Sequence, residues 1–129
     1  MYLIIFCVII IFIIQFSESN IESNQIIRDI YDDLIIIHPG AKSLKLSEGD
    51  KSATINKKNV TLCITNKNGM TYNHNILLYV AIHELSHVLC DEHHHTQKFE
   101  KINSLLLQRA INLELYNPNI KIPSNYCIS

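Results

Sequence analysis

The sequence predicts an α+β domain, on three observations. Residues 20–38 place apolar side chains at the spacing of one helix face. Residues 59–65 alternate apolar and polar side chains, as a half-buried strand does. Two more apolar stripes at helical spacing follow residue 75, on either side of a short polar break. At 129 residues the chain has the length of one small domain, and we assign residues 20–129 to it.

The chain begins with an unbroken apolar run from Met1 to Ile14. Extended by the next few residues, this run reaches about 17 residues, the short end of the range for a transmembrane helix. We therefore expect residues 1–17 to be a single-pass membrane anchor. The alternative is a signal peptide that is cleaved near Ser17 and Ser19 to give a secreted protein, although no basic residue precedes the run. A buried core element is the least favoured interpretation, because the run has no polar face.

A first helix of the domain is expected over residues 20–38, with Ser23 as its N-cap. Proline and glycine follow His38, and this combination should end the helix. Its charged residues fall outside the apolar stripe and are expected to face solvent. The stripe itself consists of Ile26, Ile27, Ile30, Tyr31, Leu34 and Ile35.

Three short strands are expected after this helix. Residues 41–46 form the first strand. Residues 52–56 and 59–65 flank Lys57-Lys58 and form a hairpin. In the second arm of the hairpin, the side chains expected to point into the core are Val60, Leu62 and Ile64.

The next helix contains the sequence His83-Glu84-Leu85-Ser86-His87, an H-E-x-x-H motif. Residues four apart lie on the same face of a helix, so His83 and His87 can bind one zinc ion from one side. Glu84 lies beside that face, where it can accept a proton from a zinc-bound water. Two solvated histidines on a surface helix are the less favoured explanation, because the surrounding residues are apolar and can bury the helix.

Two histidines leave a tetrahedral zinc ion without a third protein ligand. Three consecutive histidines follow at 93–95. We expect His95 to be the third ligand, because packing of the next helix through Phe99 would bring it back over the motif. The alternatives among the histidines are His93 and, after it, His94. Glu100 is a further alternative if the third ligand is a carboxylate.

A third helix is expected from its N-cap, Thr96, to about Tyr116, where Asn117-Pro118 ends it. Its apolar stripe consists of Phe99, Ile102, Leu106, Ala110 and Leu113. An irregular tail follows and contains Tyr126 and Cys127.

Three cysteines lie beyond the apolar run, namely Cys63, Cys90 and Cys127. Because this number is odd, at least one of them stays free or pairs between molecules. A Cys90–Cys127 disulfide would tie the tail across the end of the second helix. Small buried thiols are the alternative.

The sequence His-Glu-Leu-Ser-His at 83–87, followed by His-Thr-Gln-Lys-Phe at 95–99, resembles the zincin metallopeptidases of the SprT-like and WLM type. Residues 78–90 and the tail are also similar to small zinc metalloproteins of large DNA viruses. The resemblance implies a minimal zincin fold, with an N-terminal helix, a small sheet, the metal helix and a closing helix. It also implies that an edge strand, at 59–65 or 70–72, pairs with an extended peptide substrate. Thr96 departs from the usual glycine of these families.

The sequence thus predicts a zinc-dependent metalloendopeptidase that acts on protein or peptide substrates. Zinc is expected on His83, His87 and His95, with Glu84 as the general base. The candidate oxyanion donors are Tyr116, Tyr126, His93 and His94. The alternatives are a non-enzymatic, membrane-tethered zinc-binding module and a histidine-rich metal carrier. The net charge of −1 gives no reason to expect a nucleic-acid partner.

Overall fold

The computed structural model describes the backbone of residues 1–127 and the side chains of residues 1–14 and 24–127. Over that part of the chain there are three α-helices, one 3-10 helix and three β-strands, so the predicted α+β class is confirmed. The α-helices are α1 (Tyr2–Ile37), α2 (His74–Leu89) and α3 (Gln97–Asn112). The 3-10 helix is Pro39–Ser43, and the strands are β1 (Lys45–Glu48), β2 (Ala53–Ile55) and β3 (Asn59–Leu62).

Helix α1 joins the apolar run and the predicted first helix in one element. Its C-terminal part packs Ile30, Leu34 and Ile37 into the core, each with 1% or less of its surface exposed. These residues are spaced three or four apart and therefore lie on one helix face. The helix ends before His38, which has extended backbone because the following proline disfavours helical geometry. The predicted cap at Ser23 concerns a side chain outside those that the structure describes.

The predicted single-pass membrane anchor at residues 1–17 is wrong. Among the residues that the structure describes, no helix is both long enough and apolar enough to cross a membrane. The purely apolar stretch ends at Ile14, and that many helical residues rise only about 21 Å, against about 30 Å for the hydrocarbon core of a bilayer. The side chains of residues 15–17, which the prediction needed to lengthen the span, lie outside the described ones.

The strands form one mixed sheet in the described part of the chain, in the order β1–β3–β2. Strands β2 and β3 are antiparallel and form the predicted hairpin, whereas β1 runs parallel to β3. At the hairpin turn, Asn56 and Lys57 have φ values of 54° and 53°. Positive φ at both central positions is typical of a type I′ turn, whose twist matches that of the strands. Strand β1 begins later than predicted because Pro39–Ser43 forms the 3-10 helix.

The core lies between the sheet, α1 and the buried side of α2. Val60 and Leu62 of β3 and the following Ile64 are at most 1% exposed, which confirms the predicted alternation. Helix α2 contributes five apolar residues that are almost fully buried, Leu77, Leu78, Ala81, Ile82 and Leu85. Because α2 packs against α1, α3, β2 and β3, its orientation is fixed from several sides.

Helix α3 ends at Asn112, earlier than the predicted end near Tyr116. The backbone N–H of Leu115 donates to the carbonyl of Ala110 at 2.9 Å, and that of Glu114 donates to Ile111 at 3.0 Å. Glu114 has a φ of 60°. This pattern is a Schellman motif, which normally places glycine at the left-handed position. Since glutamate occupies that position here, the sequence contains no stop signal at this point.

Cys63 and Cys127 form a disulfide, so the alternative Cys90–Cys127 pairing is wrong. Within the described part of the chain Cys90 is buried and carries a free thiol. This agrees with the expectation that at least one of the three cysteines stays free or pairs between molecules. The disulfide attaches the C-terminal tail to the chain just after β3.

Candidate metal centre

The two motif histidines lie on the side of α2 that faces away from the core. Asn73 caps the helix, its side chain accepting a hydrogen bond from the backbone N–H of Ile76 at 2.9 Å. His83 and His87 are partly buried, and their ring centroids lie 5.0 Å apart. The predicted placement of both imidazoles on one helix face is therefore present in the structure.

His95 joins these two residues from the loop between α2 and α3. Its Nε2 lies 3.2 Å from the Nε2 of His83 and 3.2 Å from the Nε2 of His87. The predicted cap of α3 is also present, since Thr96 Oγ1 accepts from the backbone N–H of Phe99 at 3.3 Å. The buried ring of Phe99 lies 4.8 Å from the ring of His95 and 4.3 Å from that of His87, centroid to centroid.

Among the described residues, the group able to hold one metal ion consists of His83, His87 and His95. It does not include the alternatives His93 and Glu100. His93 lines the cavity in front of the group. Glu100 lies close enough to His83 for its negative charge to oppose the lowering of that histidine's pKa.

The two nitrogen separations that involve His95 fit a metal ion, and all three ligand atoms lie within 4.8 Å of one another. Two nitrogen ligands bound at about 2.05 Å with tetrahedral angles lie about 3.3 Å apart, close to the 3.2 Å separations from His95. Burial lowers the pKa of His83 and of His87, and the charge of His95 adds to the effect on both. A lowered pKa favours the neutral imidazole that a metal requires. Three imidazoles suit zinc, and also copper, iron and nickel.

Glu84 is buried beside the histidines, with 7% of its surface exposed. Its Oε2 accepts a hydrogen bond of 2.5 Å from the hydroxyl of Thr54, which also lies 3.2 Å from the backbone carbonyl of Glu84. Thr54 is the middle residue of β2. The sheet therefore orients the carboxylate toward the same cavity that His83 and His87 line.

Lys57 holds the C-terminal end of α2. From the type I′ turn its ammonium group donates to the backbone carbonyls of His87 at 3.0 Å, of Cys90, and of Glu92 at 3.3 Å. The last carbonyls of a helix lack partners within the helix and carry partial negative charge, so a cation there is stabilising. These contacts tie the backbone of one proposed ligand to the loop that leads to His95.

A cavity of about 470 Å³ lies in front of the histidines, between β2 and residues 92–95. Within the described residues no strand pairs with the outer edge of β2. The prediction that 59–65 or 70–72 would be the edge strand beside the site is wrong. Strand β3 is central in the sheet, and residues 70–72 contribute a single bridge between Thr71 and Thr65.

Comparison with known proteins finds relatives in viruses. The chain is 48% identical over 89 residues to an uncharacterized protein of Invertebrate iridescent virus 6, an alignment that covers 67% of this chain and 50% of the relative. It is 41% identical over 86 residues to an uncharacterized protein of Invertebrate iridescent virus 3, covering 66% and 54%. It is 38% identical over 81 residues to an uncharacterized protein of Acanthamoeba polyphaga mimivirus, covering 59% and 41%.

These relatives are viral proteins. The predicted similarity to proteins of viruses is confirmed. The chain spans about half the length of the curated relatives it matches. No protein-family model matches the chain. No solved structure matches it either.

Two residues of the site could not be found by sequence reasoning. Thr54 occurs in a short strand with no motif around it, and the sequence pattern places Lys57 only in a turn. Each contacts α2 across about 30 residues of chain. The one available signal was the turn itself, which predicted that Lys57 lies at the end of a hairpin.

Proposed function

We propose that this chain is a zinc-dependent metallopeptidase of the SprT-like and WLM zincin type, which hydrolyses peptide bonds in protein substrates. The observation that supports the proposal is the position of a buried carboxylate, Glu84, beside three converging histidine nitrogens on one open cavity. A site that only binds or carries a metal needs the histidines. It has no need of a buried glutamate oriented by a hydrogen bond.

His83, His87 and His95 would hold the ion. When bound, zinc supplies a Lewis acid that polarises the scissile carbonyl and makes water acidic enough to be deprotonated near neutral pH. Glu84 accepts the proton of the attacking water and then donates it to the leaving amine. The hydrogen bond from Thr54 fixes one carboxylate oxygen and restricts the rotation of the side chain, so that the carboxylate stays directed at the cavity.

Strand β2 would position the substrate. An extended peptide can add to the outer edge of this strand through backbone hydrogen bonds, which give affinity with little dependence on side chains. The hydrogen bond from Thr54 to Glu84 links this strand directly to the proposed base. Substrate and base are therefore held by the same element.

The residue that stabilises the oxyanion would come from the loop before α3. The hydroxyl of Tyr126 already donates to the carbonyl of Cys63 at 2.6 Å. Tyr116 is buried, with its ring against that of Tyr79. His93 and His94 line the cavity and are the remaining candidates from the sequence.

The ligand set is tested by the zinc content of the full chain after chelation, reloading and dialysis, measured together with cleavage of an unfolded protein such as casein. We expect one zinc per chain and chelator-sensitive cleavage in the wild type. His95→Ala should lose both. His94→Asn, a neighbouring histidine outside the ligand group, should keep its zinc.

Two results would contradict the proposal in different ways. Unchanged zinc in His95→Ala would show that the ligand set is wrong. One zinc per chain without cleavage on a broad panel of substrates would show that the chain is a zinc-binding module and not an enzyme.

A further inference from the structure

The C-terminal tail is anchored to the sheet at its far end. Cys127 forms the disulfide with Cys63, and its backbone N–H donates to the hydroxyl of Tyr72 at 3.0 Å. The neighbouring Tyr126 packs its ring against Tyr72, with 4.8 Å between the centroids. At the other end, the backbone N–H of Asn117 donates to Asn75 Oδ1 of α2 at 2.7 Å, and Asn75 Nδ2 donates to the carbonyl of Asn117 at 3.0 Å. Residues 117–127 therefore form a strap that is held at both ends, by α2 at one end and by the disulfide just after β3 at the other.

A closed ring of hydrogen bonds joins this strap to the start of β2. The backbone N–H of Cys63 donates to Ser52 Oγ at 3.0 Å, and the hydroxyl of Tyr126 donates to the carbonyl of Cys63 at 2.6 Å. The hydroxyls of Ser52 and Tyr126 lie 2.7 Å apart. Because the proton of Tyr126 is already used, Ser52 is the donor in this third bond. The strap is thus fixed next to the edge strand.

The strap forms one wall of a second cavity, of about 380 Å³, which we call the tail cavity. Its apolar surfaces come from the strap and from α2, through Ile122, Tyr126, Tyr79 and Val80. Three residues, Ser52, His83 and Glu84, line both this cavity and the cavity in front of the histidines. The two cavities therefore meet at the proposed base, Glu84, and the proposed metal ligand His83.

We propose that the tail cavity binds an apolar side chain of the substrate beside the scissile bond and so determines specificity. This inference rests on the proposed peptidase function. A peptide paired along β2 would run from the first cavity past Glu84 to Ser52, where the strap begins to enclose it. Side chains of an extended peptide alternate between faces, so a residue next to the scissile bond reaches the apolar walls. Backbone pairing with β2 discriminates little between substrate sequences. The discrimination comes from the apolar residues of the strap that line the tail cavity.

The expected preference is for a large apolar residue over alanine. Pockets of this kind discriminate by about tenfold or more for each missing methylene. The tail cavity is partly open to solvent, which weakens this discrimination. We therefore expect the Kd of a peptide with leucine at this position to be about tenfold lower than that of the same peptide with alanine.

The test uses the full chain with zinc and the background substitution Glu84→Gln, so that peptides bind without being cut. The probes are two fluorescent decapeptides of glycine, serine and threonine with a central leucine or alanine, and their Kd values are measured by anisotropy. Ile122→Asp places a charge in the tail cavity and should abolish the leucine preference. Ile120→Asp, the same change at an exposed residue of the strap outside the cavity lining, should leave it unchanged.

A second variant removes the covalent anchor of the strap without changing its apolar residues. The double substitution Cys63→Ser and Cys127→Ser should also remove the leucine preference, while zinc content stays at one per chain. Equal Kd values for the two peptides in the parent chain, or an intact preference in Ile122→Asp, would overturn the inference.

Failure of the proposed function gives a different result. If the chain with intact Glu84 cuts neither peptide, yet the preference exists and depends on Ile122, the tail cavity is a peptide-binding site of a non-catalytic protein. If both peptides are bound and cut equally well, the peptidase proposal holds and the inference about the tail cavity fails.

Discussion

Removing the ammonium group of Lys57 should weaken metal binding although this residue is not a ligand. In Lys57→Met the carbonyls of His87, Cys90 and Glu92 lose a charged donor. The loss of a cation at a helix C-terminus costs about 0.3–1 kcal/mol, and each lost hydrogen bond adds about 1 kcal/mol, offset in part by water. We expect a decrease of about 2 kcal/mol in the free energy of unfolding.

The effect on metal affinity follows from the position of these carbonyls. They belong to the backbone of His87 and to the loop that leads to His95, so their displacement misplaces two of three proposed ligands. Substitutions that disturb the support of metal ligands typically cost about 10–100-fold in affinity, and we expect about tenfold here. The measurement is the zinc Kd of the full chain by competition with a chromophoric chelator.

Lys58→Met is the matched control, since Lys58 is the exposed neighbour in the same turn. Its zinc affinity should stay within twofold of the wild type. An equal loss in both variants would show that the effect is one of net charge. An unchanged affinity in Lys57→Met would refute the supporting role of this lysine.

Three further predictions concern the base, the histidines and the disulfide. Thr54→Val should lower kcat about tenfold at unchanged zinc content, because the carboxylate of Glu84 loses its orienting donor, whereas Thr54→Ser should stay close to wild type in the same casein assay. Because burial lowers the pKa of His83 and His87 in the folded chain, the unfolded chain binds more protons below about pH 6.5. The urea unfolding free energy of the metal-free protein should therefore decrease as the pH falls through that value. An unfolding free energy that does not change with pH would contradict the lowered pKa of the two histidines. Cys63→Ser opens a loop with a sequence separation of 64 residues, which predicts a loss of up to about 4 kcal/mol in the urea unfolding free energy; a loss below about 1 kcal/mol would show that the disulfide adds little.

The local features of the site could be predicted from the sequence. The spacing of His83 and His87 needs only a helix, and the apolar residues around them specify one. His95 could be placed because Thr96 is a strong capping residue and Phe99 begins an apolar stripe. Those two signals together determine how the chain returns over α2.

The long-range features could not be predicted. The contact of Thr54 with Glu84 and the pairing of Cys63 with Cys127 depend on how distant segments pack, and spacing along the chain contains no information about that. The predicted end of α3 lies too far along the chain, because Glu114 adopts a left-handed backbone that the sequence gives no reason to expect. The membrane anchor was wrong because its length depended on residues beyond the purely apolar run.

The most direct test of the central claim compares Glu84→Gln with the wild type at equal zinc occupancy. Both proteins are loaded to one zinc per chain, and the initial rate of casein cleavage is measured near neutral pH. If Glu84 is the general base, the variant keeps its zinc and loses at least about 100-fold in rate. Cleavage by the variant within a few fold of the wild type would contradict the account, since the chemistry would then not pass through this carboxylate.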